Sequence, residues 1–152
     1  MINARSETVA SKPAFRAAVR KRRCLIPADS FYEWRKEGTQ KQPYRIQLPD
    51  SNLLFLAGIY EHWQGDGQQI DTFSILTCSP NREMASLHDR MPVIMSHAEA
   101  REAWLCEPSL EKALQWALPL ADDSLTYYPV STQLNNPRND FKALHTPDEE
   151  NN

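Results

Sequence analysis

The chain has 152 residues, of which 41% are hydrophobic and 24% are charged, a size and balance that suit one globular domain with one core. No apolar run approaches the length of a signal-peptide core or a membrane span, and the three cysteines are an odd number without short spacing. We therefore expect a soluble protein of the reducing cytoplasm, with no membrane contact.

The net charge of −3 conceals an uneven distribution along the chain. Up to Arg45 there are 11 Lys and Arg against 4 Asp and Glu, whereas the remainder has 6 against 16. This imbalance favours a basic face that binds a polyanion, with acidic surface elsewhere that keeps the protein soluble. A solvated basic helix without a ligand explains the charge equally well.

The first residues alternate in polarity as a strand does. We expect three polar side chains on one face and the intervening residues on the other, with Asn3, Arg5 and Glu7 opposite Ile2, Ala4 and Ser6. A helix is predicted next, capped by Ser11 and running through Arg23, with a basic edge. That edge has Arg16, Arg20 and Arg23 at helical spacing.

Short apolar or alternating runs, most of them bounded by turn signals, predict the remaining strands. They cover residues 23–26, 31–36, 43–48, 53–63, 71–78, 91–96 and 125–130. Glu37-Gly38 and Gly65-Asp66-Gly67 suit hairpin turns. Leu53–Ile59 is apolar enough to be a central strand buried on both faces.

Two helices follow in the second half of the sequence. Ser96 and Glu99 form a capping-box pattern for a helix through about Cys106, and Ser109 opens another through about Ala117. The elements together predict an α+β domain at residues 1–145, built on a mixed, largely antiparallel sheet with flanking helices. Residues 146–152 are polar and acidic, and we expect a disordered tail there.

Two titratable residues are candidates for acid and base chemistry. Glu33 lies between Tyr32 and Trp34, where desolvation among aromatic side chains raises the pKa of a carboxylate. An exposed carboxylate paired with Arg35 or Lys36 is the alternative. His88 is the second candidate, because a free imidazole has a pKa of about 6.5 and suits proton transfer at neutral pH, although a lone histidine is more often structural.

Two residues of the first strand suit a sugar phosphate. The amide of Asn3 can bind a sugar hydroxyl, and the guanidinium of Arg5 matches phosphate oxygens. An edge strand held by salt bridges, with no ligand, is the alternative. The four histidines and three cysteines show no pairs at zinc-ligand spacing, so we expect neither a metal site nor a cofactor.

Three short motifs carry a family resemblance when they are taken together. They are Asn3-Ala4-Arg5-Ser6-Glu7, Phe31-Tyr32-Glu33-Trp34 and His88-Asp89-Arg90-Met91-Pro92. In this order and at these separations they resemble the N-A-R-x-E, [WF]-[YF]-E-W and H-x-R-M-P signatures of the SOS-response-associated peptidase (SRAP) family. The similarity extends from Ile2 to about Asn139.

The resemblance implies a fold and a reaction. The fold is an open pseudo-barrel, and the family binds abasic sites in single-stranded DNA as part of the DNA-damage response. An N-terminal cysteine condenses with the sugar aldehyde to a thiazolidine, which requires a free α-amine beside the thiolate. The family is also named for a peptidase activity that removes residues before this cysteine.

The resemblance also implies roles for individual residues. Asn3 corresponds to an asparagine near the abasic sugar, Glu33 to a glutamate that moves protons to and from the N-terminal amine, and His88 to a histidine that protonates the sugar ring oxygen. Arg5 and Arg90 match arginines that meet phosphates. Trp34 offers a surface on which a base stacks. Further backbone contacts are expected from Lys12, Arg16 and Arg20.

The sequence departs from the family pattern at its start, where Met1 directly precedes the first motif. We expect that the segment with the nucleophilic cysteine is missing and that the fold is incomplete there. The chain would then bind abasic DNA without crosslinking it and would self-associate through an exposed sheet edge. The first alternative is a fragment of an active crosslinking protein and autopeptidase whose start lies upstream.

A hydrolase with another nucleophile is the second alternative, and its candidates are Ser30, Ser79 and Cys78. No nucleophile-elbow glycine pattern surrounds them. The cysteines are better interpreted as small core residues, at positions 24, 78 and 106.

Overall fold

The structure, a computed structural model, describes residues 1–148 and confirms the α+β class. Within these residues the strands are β1 (Asn3–Arg5), β2 (Arg23–Ala28), β3 (Phe31–Glu37), β4 (Gln40–Gln47), β5 (Leu54–Gly65), β6 (Gln68–Cys78), β7 (Met91–Pro92) and β8 (Thr126–Pro129). The α-helices are α1 (Ala18–Lys21), α2 (Arg82–Ala85), α3 (Ala98–Cys106) and α4 (Leu110–Leu114). Short 3₁₀ turns lie at Pro49–Ser51, Thr132–Asn135 and Lys142–His145.

The first sheet has the strand order β1-β6-β5-β2, and β7 pairs with the end of β6. Only β1 and β6 run parallel; the other pairs in this sheet are antiparallel. Strand β5 is central, as the sequence predicts, and Leu54, Leu56 and Ile59 are buried within it. Gly58 allows the close approach of β2, since a Cβ there would lie 2.1 Å from Cδ1 of Ile26.

The second sheet is antiparallel, with the order β3-β4-β8. Both predicted hairpin turns are confirmed. Gly38 closes the β3–β4 hairpin at a φ of 60°, and Asp66 and Gly67 close the β5–β6 hairpin at 50° and 74°. In the β5–β6 hairpin, positive φ at both central residues matches the right-handed twist of the flanking strands.

The core lies between the first sheet and the helices that pack on it. Trp104 of α3 is fully buried, and its Nε1 donates to the carbonyl oxygen of Cys24 in β2 at 2.8 Å. Arg23 donates in return from Nε to the carbonyl oxygen of Trp104 at 2.5 Å. Side-chain hydrogen bonds therefore fix α3 against the outer strand of the sheet.

The predicted helix from Ser11 to Arg23 is wrong in extent. Residues 13–17 form turns and only α1 is helical, while the Ser11 hydroxyl donates to the Thr8 carbonyl instead of capping a helix. Pro13 supplies no amide hydrogen. Arg23 pairs with Ile59 as the first residue of β2, so strand pairing overrides helix propensity there.

Two boundaries in the second half also differ from expectation. The predicted strand 91–96 pairs with β6 only at Met91–Pro92, after which the chain crosses to β5 through a bridge between Ile94 and Leu56. His97, not Ser96, is the N-cap of α3, and it makes no side-chain capping bond. Ser109 does cap α4, since its side chain accepts from the Lys112 amide.

The predicted tail begins inside the described residues. Pro147 bridges to Val130, and the Asp148 amide donates to the Pro129 carbonyl at 2.9 Å, so regular pairing reaches Asp148. Residues 149–152 of the predicted tail lie outside the described part. Among residues 1–148, no helix combines the length and apolar character that crossing a membrane requires.

Candidate functional site

An open cleft of about 1060 Å³ lies beside the second sheet. Two of the three sequence motifs reach it, through β3 and through the turn that follows α2, and the Thr132–Asn135 turn forms another wall. The residues that matter for its chemistry are Glu33, Trp34, Lys36, Lys41, His88 and Asn135. The cleft therefore combines a carboxylate, an imidazole, an indole and two ammonium groups.

Glu33 is partly buried in the cleft, and its pKa is raised from the ordinary value of 4.5. Burial is the largest cause, and the nearby charge of Asp89 acts in the same direction, whereas His88 and the amide of Trp34 lower the pKa. A raised pKa is what the sequence predicts for this carboxyl. The alternative partner Arg35 is instead paired with Glu37.

His88 has an internal partner for either protonation state of its Nδ1 atom. Without a hydrogen, Nδ1 accepts from the Arg90 amide at 3.1 Å; with one, it can donate to the Arg90 carbonyl oxygen at 3.3 Å. Nδ1 also lies 3.2 Å from Oδ1 of Asp89, a partner for the protonated ring. Nε2 has no hydrogen-bond partner among residues 1–148, and it is a donor to the cleft whenever Nδ1 accepts from the Arg90 amide or the ring is protonated.

The first and third motifs are joined by an ion pair. Arg90 donates from both Nη atoms to the carboxylate of Glu7, at 2.7 and 2.8 Å, and from Nη2 to the Thr77 carbonyl at 2.6 Å. The hydrogen bonding between Arg90 and the Glu7 carboxylate is the main reason why the pKa of Glu7 is lowered. Because these donors have partners within the protein, a phosphate contact by Arg90 stays a prediction.

The side chains of Asn3 and Arg5 are exposed on β1, with Ala4 buried between them. This is the predicted alternation, except that Ile2 is 80% exposed instead of sharing the buried face of Ala4.

The structure brings Glu33, Trp34 and His88 into one cleft. Asn3 does not line that cleft.

Trp34 is 37% exposed in the cleft, and its Nε1 donates to Oδ1 of Asn135 at 2.7 Å. Sequence reasoning missed Asn135, although the polar run Gln133-Leu134-Asn135-Asn136 directly after the last strand is a signal for a turn rich in side-chain hydrogen bonds. Sequence reasoning also did not identify Lys36 and Lys41 as cations that line the cleft.

The predicted basic contacts are exposed and have no partner. Lys12, Arg16 and Arg20 make no ion pair or side-chain hydrogen bond within the described part of the chain. Arg23 does not share their face. It is partly buried and donates to the carbonyl oxygens of Trp104 and Glu107.

Cys78, Cys24 and Ser30 lack the features that activate a nucleophile. Cys78 is buried, and burial raises the pKa of its thiol to about 11. Cys24 is partly buried with its pKa raised for the same reason, and Cys106 is exposed, so the prediction of a core role is wrong for Cys106. The Ser30 hydroxyl contacts Asp29 and Arg45, not a histidine.

Comparisons with known proteins place the chain in a family. The family model described as SOS response associated peptidase (SRAP) matches residues 1–137. Abasic site processing protein YoaM of Bacillus subtilis strain 168 is 43% identical over 150 residues, which cover 95% of this chain and 65% of YoaM. Abasic site processing protein HMCES of Xenopus tropicalis is 33% identical over 159 residues, which cover 90% of this chain and 47% of HMCES.

A crystal structure of a Bacteroides thetaiotaomicron protein superposes with a TM-score of 0.83 at 32% identity, covering 94% of this chain and 64% of that one. The chain thus spans less than two thirds of the length of each of these relatives. The matched residues include all three motifs, and the chain belongs to the SRAP family.

Proposed function

We propose that this chain is a cytoplasmic protein that binds abasic sites in single-stranded DNA at the cleft that contains Glu33 and His88. One observation carries the proposal: a carboxyl with a raised pKa and an imidazole whose Nε2 has no partner among the described residues share an open cleft with an indole. Relatives that are named abasic site processing proteins support the same lesion.

The chemistry of an abasic sugar suits these groups. The sugar is a hemiacetal, and opening it to the aldehyde needs one group that takes the hydroxyl proton and another that protonates the ring oxygen. The Nε2–H of His88 is the donor for the ring oxygen, and the carboxylate of Glu33, whose pKa is raised by burial, accepts the hydroxyl proton. The face of Trp34 would stack on a base that neighbours the lesion.

Exposed cations supply the affinity for the DNA backbone. Lys36 and Lys41 line the cleft, and Arg5 is exposed on β1. Lys12, Arg16 and Arg20 are exposed and have no acidic partner in the described part. Each phosphate that these cations neutralise releases counterions, so binding should weaken as salt increases.

Binding by residues 1–152 is proposed to be non-covalent. A thiazolidine requires a free amine on the carbon next to the thiol-bearing carbon, and Cys24, Cys78 and Cys106 are internal residues whose nitrogens are amides. Of these, Cys78 also has the pKa of its thiol raised to about 11. Neither Cys24 nor Cys78 is sufficiently exposed and ionised to attack an aldehyde readily.

Self-association through β1 belongs to the same proposal. β1 is the outer strand of the first sheet, and Met1 and Ile2 beside it are 84% and 80% exposed. An open edge with apolar neighbours pairs readily with another strand. Sedimentation at rising concentration tests this, and a monomer at all concentrations would contradict it.

The lesion preference is tested by fluorescence anisotropy with two labelled single-stranded oligonucleotides that differ only in one central position, abasic or thymine. The wild-type chain should prefer the abasic strand by about tenfold, which corresponds to about 1.4 kcal/mol, and Glu33→Gln or His88→Gln should abolish the preference. His97→Gln and Glu102→Gln, which change exposed residues outside the cleft, are the controls. A denaturing gel of the same mixtures should show no covalent adduct.

Equal affinity for both strands in the wild-type chain would refute the lesion preference. A stable adduct on the denaturing gel would refute the non-covalent mode and would direct attention to the exposed Cys106.

A further inference from the structure

Asn135 joins three segments of the cleft through one side-chain amide. Its Oδ1 accepts from Nε1 of Trp34 at 2.7 Å, and its Nδ2 donates to the carbonyl oxygen of Lys41 at 2.9 Å. Trp34 belongs to β3 and Lys41 to β4, while Asn135 ends the 3₁₀ turn Thr132–Asn135. The amide therefore connects the hairpin to the opposite wall of the cleft.

Both contacts fix the same orientation of the amide. An indole N–H can only donate, so the atom that faces it must be the amide oxygen, and a carbonyl can only accept, so the atom that faces Lys41 must be the amide nitrogen. The two constraints come from different strands and agree. Asparagine is the side chain that offers a donor and an acceptor at this length.

The turn itself is held by its own hydrogen bonds. Ser131 caps it by accepting from the Gln133 amide at 3.3 Å, and the Asn139 side chain donates to the Gln133 carbonyl at 2.7 Å. The Asn135 backbone is therefore held without help from its side chain, which leaves the side-chain amide to act on Trp34.

We infer that Asn135 is a positioning residue that holds the indole of Trp34 in the orientation in which its exposed face stacks on a base beside the lesion. Trp34 is 37% exposed, so burial alone does not fix its ring. A hydrogen bond to Nε1 removes the rotation about the last side-chain bond, and a ring that is already oriented loses less entropy when a base stacks on it. This inference rests on the proposed function.

The first test uses the free protein and needs no DNA. The chain has four tryptophans, so its ¹H–¹⁵N spectrum should show four indole signals, and Trp34→Phe assigns the one from Trp34. Asn135→Ala should move the Trp34 signal and speed the exchange of its indole hydrogen, while Trp104, which is fully buried, should be unaffected. Asn135→Asp keeps the acceptor and should restore the slow exchange in part.

The second test measures stacking with the abasic oligonucleotide. Asn135→Ala should weaken binding about three- to tenfold, and Asn135→Asp should weaken it less, because the ring is still present and only part of the contribution of a stacked base is lost. The matched control is Asn136→Ala, because Asn136 is exposed and, within residues 1–148, its Oδ1 accepts only from the Arg138 amide. Circular dichroism and a melting curve establish that each variant is folded.

Three results would contradict the inference about Asn135. An unchanged Trp34 indole signal in a folded Asn135→Ala variant would overturn the inference. A moved signal with unchanged DNA affinity would overturn the stacking role and leave the proposed function standing. Failure of the wild-type chain to bind either strand would overturn both.

Discussion

Arg90 and Glu7 meet through two parallel hydrogen bonds, from Nη1 to Oε1 at 2.7 Å and from Nη2 to Oε2 at 2.8 Å. Residues 83 positions apart in the sequence are thereby fixed to each other. Glu7 follows β1, which carries Asn3 and Arg5, and Arg90 follows His88 in the same turn. The pair thus holds β1 and the His88 turn in one arrangement.

A double-mutant cycle measures what this ion pair contributes. The Glu7 side chain is 51% exposed, so solvent screening reduces the coupling, and we expect about 0.5–1 kcal/mol between Glu7→Gln and Arg90→Gln in urea unfolding. Arg90→Gln alone should cost more than Glu7→Gln, because it also removes a donor from the Thr77 carbonyl. Additive losses would show that the pair contributes nothing.

The pH dependence of stability should reveal the same pair. The pKa of Glu7 is lower in the folded protein than its ordinary value of 4.5, so its contribution is fully present above pH 4.5 and is lost as the pH falls through the folded pKa. The wild-type chain should therefore lose more stability than Glu7→Gln between pH 5 and about pH 3. Parallel curves for the two proteins would contradict this.

Glu33 should behave in the opposite way. Its pKa is raised in the folded protein, so the folded state binds the proton more tightly, and this stabilisation is present below pH 4.5 and lost as the pH rises through the folded pKa. Glu33→Gln should therefore raise the melting temperature at pH 7.5 and leave it nearly unchanged at pH 4. A lower melting temperature at pH 7.5 would mean that the carboxylate is stabilising.

The two exposed tryptophans of the strands offer a matched comparison. Trp34→Ala should weaken binding to single-stranded DNA about tenfold, because it removes one stacking surface. Trp63 is 48% exposed on β5, outside the cleft, and Trp63→Ala should leave affinity unchanged. Anisotropy titrations check both, and equal losses would contradict a specific role for Trp34.

The three exposed cations Lys12, Arg16 and Arg20 should control the salt dependence of DNA binding. Replacing Lys12, Arg16 and Arg20 together with Gln should make the plot of log affinity against log salt shallower by about 2, at roughly 0.7 per phosphate contact on a single strand. Lys112→Gln, which changes an exposed cation of α4, is the control. A slope that stays the same would remove these residues from the DNA path.

Much of the fold follows from local sequence signals. Asp66 and Gly67 both tolerate positive φ, which favours the β5–β6 hairpin, and the apolar run Leu53–Ile59 favours a central strand covered on both faces. The helix predicted from Ser11 to Arg23 is wrong at its C-terminal end because strand pairing with a distant part of the chain prevails there. Pairing of Arg23 with Ile59 requires extended backbone at the point where helical spacing of side chains suggested one more turn.

Only part of the candidate site was predictable from the sequence. Glu33 and His88 stand out because their chemistry is recognisable from residue type and neighbours. Asn135 does not, since asparagine is common in turns and its importance arises only when β3, β4 and the turn come together. The ion pair between Glu7 and Arg90 is likewise invisible until β1 and the His88 turn meet at the end of β6.

The imidazole signals of His88 test the central claim most directly. On titration of ¹⁵N-histidine-labelled protein with the two oligonucleotides, the Nε2 signal of His88, assigned through His88→Gln, should shift with the abasic strand. It should shift much less with the thymine strand, while His97, which is exposed outside the cleft, should report no difference. Identical shifts of His88 with both strands, or none with either, would contradict recognition of the lesion at this cleft.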